Sequence, residues 1–125
     1  MYTNEQLEEL TSKWASDRGI TTNGKVITQC MKLMEELGEM ASHIAKGQPI
    51  VDDIGDCAVV LNNIARLSGT TLNECWNVAY EDIKDRKGFL TEDGVFIKET
   101  DPNYAKYVNV QQSQMTIVDN TLVAE

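Results

Sequence analysis

The stretch KVITQCMKLMEELGEMASHIAKGQPIVDDIGDCAVVLNNIA, residues 25–65, decides the fold. Val26, Cys30, Leu33, Leu37, Met40 and Ile44 recur at helical spacing, widened by Ile27, Met34 and Ala41. Lys46-Gly47 reads as the carboxyl end of that helix, over residues 25–46. Pro49 opens a second helix, whose buried side is predicted at Ile50, Ile54, Cys57, Leu61, Ile64 and Ala65. So short a connection makes the two helices antiparallel neighbours.

Acids crowd this hairpin. Glu35, Glu36, Glu39, Asp52, Asp53 and Asp56 face only one base, Lys46, so −5 of the chain's formal −9 lies between residues 35 and 56. Glu36 and Glu39 are three apart, as are Asp53 and Asp56, which places each pair on one part of a helix surface. Glu39 precedes Lys46 by seven residues and Asp56 follows Pro49 by seven, so both lie roughly 10 Å from the turn. The two pairs are expected to meet across the helix interface, beside the core. Four carboxylates there need shared protons or a bound cation. Hard oxygen donors suit Mg²⁺, with Mn²⁺ as a substitute, and no Cys/His ligand spacing points to a softer metal.

Outward from the hairpin, residues 4–17 read as a helix with Leu7, Leu10 and Trp14 on one face, stopped at Gly19. Thr71-Leu72-Asn73-Glu74 is a capping box opening a fourth helix, with Leu72, Trp76, Ala79 and Ile83 as its stripe and Gly88 as its stop. Residues 89–98 alternate around Asp93-Gly94, which predicts a β-hairpin with a two-residue turn. Asp101-Pro102 breaks the chain again. The expected architecture is an all-α, four-helix bundle with a short C-terminal β-hairpin: one domain over residues 1–100, then an extension or arm over 101–125.

The 125 residues are 42% hydrophobic and 25% charged, enough for a modest core. No apolar run approaches the roughly 20 residues of a membrane span, and Met1-Tyr2-Thr3-Asn4-Glu5 does not resemble a signal peptide. Cys30, Cys57 and Cys75, an odd set on apolar segments, are expected to be reduced, buried thiols in a cytoplasmic protein. The acidic balance argues against a duplex nucleic-acid partner. Met31, Val59 and Val60 widen the helix stripes, which predicts burial on a second side and a homodimer or homotetramer.

Glu35-Glu36-Leu37-Gly38-Glu39 followed by Asp53-Ile54-Gly55-Asp56 resembles the E-E-x-x-E … E-x-x-D signature of MazG-like, all-α nucleoside triphosphate pyrophosphohydrolases, and Glu81 to Gly88 resembles the basic helix end that follows it. The resemblance covers about residues 5–100 and suggests a small, phage-type member, acting in the host cytoplasm. It implies Mg²⁺-dependent hydrolysis of a nucleoside triphosphate to the monophosphate and pyrophosphate. It implies Glu36, Glu39, Asp53 and Asp56 as metal ligands, Glu35 and Glu36 as catalytic acids that orient or deprotonate the water, and Lys84, Arg86 and Lys87 as phosphate holders. Asp53 departs from the family's usual Glu and is one methylene shorter, so it could ligate directly or through a water.

Base recognition is carried by fewer signals. Trp14 is a stacking candidate or a core indole, His43 a substrate contact or a bystander, and Asn63 (with Asn62) a base reader or an interface amide. Two alternatives share the acid cluster: a hydrolase specific for dUTP, dCTP or a guanosine alarmone, and a helical dimerisation module that binds a divalent ion without turnover. The basic residues Lys84 to Lys87 favour an enzyme.

Overall fold

The structure, a computed structural model, describes residues 1–110. Its elements are α1 (Asn4–Asp17), α2 (Ile20–Asn23), α3 (Val26–Ala45), α4 (Val51–Leu67), α5 (Leu72–Ile83), β1 (Gly88–Leu90) and β2 (Phe96–Lys98). The chain is thus mostly helical with one small antiparallel sheet. It divides into two compact units, Met1–Ala79 and Tyr80–Glu125, a division earlier than the boundary expected near residue 100. Most of the predicted extension, residues 111–125, lies outside the described residues. Residues 104–110, part of the expected extension or arm, are helical.

In the first unit, α1 starts on a capping box. The Gln6 amide donates to Thr3 Oγ1 at 3.1 Å, and the Thr3 amide donates to Gln6 Oε1 at 2.9 Å. Gly19 stops α1 with φ of 77°, a conformation glycine adopts without a Cβ penalty. It also starts α2, a single turn too short for hydrophobic periodicity to reveal. The predicted capping box of α5 is half formed. The Glu74 amide donates to Thr71 Oγ1 at 3.1 Å, but the Glu74 carboxylate accepts from the Thr70 hydroxyl instead.

The α3–α4 hairpin forms as predicted, with α4 beginning at Val51, two residues later than Pro49 suggested. His43, late in α3, bonds Asp53, early in α4, while Gln29, early in α3, bonds Asn63, late in α4. Those two contacts are the register of an antiparallel pair. The seam differs from the predicted one. On α3 the covered residues are Gln29, Leu33, Glu36, Met40 and His43. The predicted apolar centre, Leu37 and Ile44, is about half exposed, one residue and so about 100° further round. On α4, Cys57 and Ala65 are buried as the pattern required, and Val60, expected on a second side, is buried within the chain, but Ile54 and Leu61 are exposed. The stripe of α5 is likewise open, with Trp76 and Ile83 exposed. Of the three thiols only Cys57 is buried, while Cys30 and Cys75 face solvent. Periodicity thus identified apolar surface on α3, α4 and α5 that the described residues leave exposed.

In the second unit, β1 pairs antiparallel with β2 in the register Gly88↔Lys98, Phe89↔Ile97, Leu90↔Phe96. The expected two-residue Asp93-Gly94 turn is replaced by a longer one. The Gly94 amide donates to the Thr91 carbonyl and the Thr91 amide to the Val95 carbonyl, with Gly94 left-handed at φ of 86°. Gly88 is required where it stands, because a Cβ would run into the Ile97 carbonyl and the Phe96 ring. Phe89 meets Tyr104 edge-on, with ring centroids 5.6 Å apart.

Candidate functional site

Glu36 is the centre of the α3–α4 seam. It is 7% exposed, and its two oxygens have different surroundings. Oε1 lies 3.3 Å from Lys32 Nζ, one turn earlier on α3, whereas Oε2 is buried without a hydrogen-bond partner. An orphaned carboxylate oxygen in a covered place is costly unless a proton shared with a neighbouring carboxyl, as with Glu39, or a group from outside the chain pairs with it. Lys32 also reaches Glu35 at 3.5 Å, and Glu35 itself is solvent-facing.

Glu36 also governs the groups around it. The Glu39 carboxyl is held above its ordinary range, first by the negative charge of Glu36 and then by partial burial. Asp56 is raised as well, by loss of water first and then by the charges of Asp52, Glu36 and Asp53. Burial, reinforced by Glu36, Asp56 and Asp53, pushes the Cys57 thiol up. Lys32 is raised in turn, chiefly by its bond to Glu36, which favours its ammonium form. Across the seam the carboxylates of α3 and α4 interact through one pair, Glu36 acting on Asp56, whereas the charges that raise Glu39 lie on its own helix.

They do not converge on a point. Asp53, 4% exposed, has Oδ2 2.7 Å from His43 Nδ1, which turns it along the seam. Among the described residues no group of three or more His, Cys, Asp or Glu side chains is arranged to hold a metal ion. The donor chemistry nevertheless suits a hard divalent cation: oxygen only, with one buried oxygen unpartnered and two carboxyls resisting ionisation.

Beside this acid level opens a cleft of about 590 Å³, lined by α1, α2, α3 and α4. Lys32, Glu36 and Asp56 line one part. Trp14, Gln29, Val59, Val60 and Asn63 line the rest, with Thr11, Ile20 and Thr28. Trp14 is half exposed, not core, and the Arg18 guanidinium sits 4.5 Å from its ring centroid. A second cleft of about 510 Å³ lies across α4, where Asp56 appears again beside Asp52, Asn62 and Trp76.

Of the predicted substrate contacts, Trp14 and Asn63 line the first cleft. His43 lines neither and holds Asp53 instead. Lys84, Arg86 and Lys87 lie in the second unit, beyond the end of α5 at Ile83 rather than within a helix end. Lys84 pairs with Glu81 and Arg86 with Asp82, both at 2.6 Å. Lys32 and Gln29 had no role in the sequence reading. The i,i+4 spacing of Lys32 to Glu36 is the signal that could have found the first. Gln29 carried no local signal, because its partner is 34 residues away.

No family model matches this chain, and no solved structure matches it. One relative is a phage protein. It is described as an uncharacterized 18.2 kDa protein in the rep-hol intergenic region of Haemophilus phage HP1 (strain HP1c1), and it is 42% identical over 64 residues. That match covers 50% of this chain and 39% of the phage protein. Among the described residues, no helix is long and apolar enough to cross a membrane.

Proposed function

We propose that this protein is a Mg²⁺-dependent nucleoside triphosphate pyrophosphohydrolase of the MazG-like kind, working in the cytoplasm, in a host cell if the chain is phage-encoded. The observation that carries the reading is the buried, unpartnered Oε2 of Glu36, a residue that raises the neighbouring carboxyls and lines a cleft large enough for a nucleotide. The proposed metal ligands are Glu36, Glu39, Asp53 and Asp56, with Mn²⁺ able to replace Mg²⁺. When bound, such an ion would neutralise phosphate charge and lower the pKa of a coordinated water.

The chain's own residues supply the rest. Glu36, with Glu35 beside it, orients the water and takes its proton as the water oxygen bonds to phosphorus and the bond to pyrophosphate breaks. Lys32, held in its ammonium form, offers a cation at the cleft wall for a phosphate oxygen. Lys84, Arg86 and Lys87 are the proposed holders of the outer phosphates. His43 fixes Asp53 through Nδ1.

Incubation of the full chain with a panel of nucleoside and deoxynucleoside triphosphates and Mg²⁺ is expected to release pyrophosphate and the monophosphate. Release of orthophosphate alone, or no turnover of any nucleotide, refutes the reading. One observation favours a second reading, the non-catalytic dimerisation module: the exposed apolar faces of α3, α4 and α5. Those faces are also compatible with the enzyme being a homodimer or homotetramer, so turnover decides between the two.

A further inference from the structure

The cleft has two levels, and they are built alike. At one, Glu36 of α3 stands with Asp56 of α4. At the other, Gln29 of α3 stands with Asn63 of α4. In each helix the two levels are seven residues apart, two turns, or roughly 10 Å along the axis. Asn63 is 3% exposed and its carboxamide is oriented by a bond from Nδ2 to Gln29 Oε1 at 3.1 Å. Its Oδ1 is buried with no partner. Val59, Val60 and Ile20 supply apolar wall around it, and Trp14 an aromatic one. The threonine hydroxyls in the cleft rotate to donate or accept, whereas the Asn63 amide, with one Nδ2 hydrogen taken by Gln29, presents the unpartnered Oδ1 as a fixed acceptor.

We propose that Asn63 Oδ1, oriented by Gln29, reads the exocyclic amine of a cytosine or adenine base whose phosphates lie at the Glu36–Asp56 level. The inference rests on the nucleotide reading of this cleft and adds its base selectivity. An amine donates to the orphaned oxygen. A carbonyl at the same ring position sets two acceptors against each other and leaves both unpaired, which a buried polar site rejects strongly. The two-turn spacing leaves room for a sugar and the first phosphate between the levels.

The test is equilibrium binding to the full chain, by calorimetry at fixed Mg²⁺, of two pairs of monophosphates that differ at this group and in the hydrogen on the adjacent ring nitrogen: CMP with UMP, and AMP with IMP. The amine-bearing member of at least one pair is expected to bind roughly tenfold tighter or better. Equal affinities within both pairs, a preference for the carbonyl member, or no binding of any of the four overturns the proposal. Gln29→Ala, at a half-buried position, frees the Asn63 amide to turn. It is expected to reduce the discrimination to about threefold or less while binding persists, and unchanged discrimination removes Gln29 as the orienting group. Binding does not require turnover. Loss of selectivity in a protein that still releases pyrophosphate sinks only this inference, whereas selective binding without turnover sinks only the hydrolase.

Discussion

The two faces of α3 invert the usual arrangement. The face packed against α4 carries Gln29, Glu36 and His43 interleaved with Leu33 and Met40, while the face carrying Ile27, Met34, Leu37 and Ile44 is open. A helix ordinarily turns its apolar stripe inward and its acids to water. Here the seam keeps polar groups in place through specific bonds, such as His43 to Asp53 and Gln29 to Asn63, and the apolar stripe is left for something else. On the proposed reading the polar seam serves the chemistry and the open stripe serves association, and each half of that contrast can be tested alone.

The largest effect is expected from neutralising the seam. Glu39→Gln and Asp56→Asn should each lower Mg²⁺-dependent pyrophosphate release by about a hundredfold or more, with circular dichroism unchanged. A fully active variant would remove that residue from the ligand set. On the other face, Leu37→Asp combined with Ile44→Asp should convert the protein to a monomer in sedimentation, whereas Glu39→Gln should leave its assembly unchanged. A wild-type chain already monomeric at micromolar concentration would break the association half of the contrast.

The seam should also show in the pH dependence of stability. Glu39 and Asp56 have folded-state pKa values raised above their ordinary ones, so the folded chain binds more protons than the unfolded chain. Their contribution is fully present below the unfolded carboxylate pKa and is lost as pH rises through the raised folded values. The metal-free protein should therefore lose melting temperature as pH rises from the ordinary carboxylate range through those raised values. Added Mg²⁺ at pH 7 should raise the melting temperature and flatten that dependence. Glu36→Gln should weaken the acid effect, since the Glu36 charge is the main cause of the Glu39 shift. The smallest effect belongs to a residue on neither face: Thr3→Ala should cost about 1 kcal/mol, through the α1 cap alone.

Much of this was legible in the chain because it is local. Gly19, Gly47 and Gly69 mark helix ends where φ is positive, and the Glu36 and Asp56 levels follow from counting out from a short turn. The face that α3 buries was not legible. Periodicity reports where apolar residues lie on a helix, not which neighbour covers them, and among the described residues Leu37 and Ile44 are left about half exposed. The Asp93-Gly94 turn failed for a related reason. The dipeptide permits a two-residue loop, but Thr91 caps a longer one with its own hydroxyl, accepting from the Val95 amide. The amide pair Gln29–Asn63 needed the packed hairpin before it existed as a pair.

His43 ties the hairpin turn to the acids in a way that bears on how such a chain can diverge. Its carbonyl accepts from the Lys46 and Gln48 amides, closing the end of α3, while its ring holds Asp53 on the next helix. The turn is therefore a length standard. A residue inserted between 46 and 50 would slide one helix along the other and put Glu36 opposite a different neighbour. The loop between β1 and β2 sets no such spacing. Insertions during evolution should accumulate in the second place and be purged from the first.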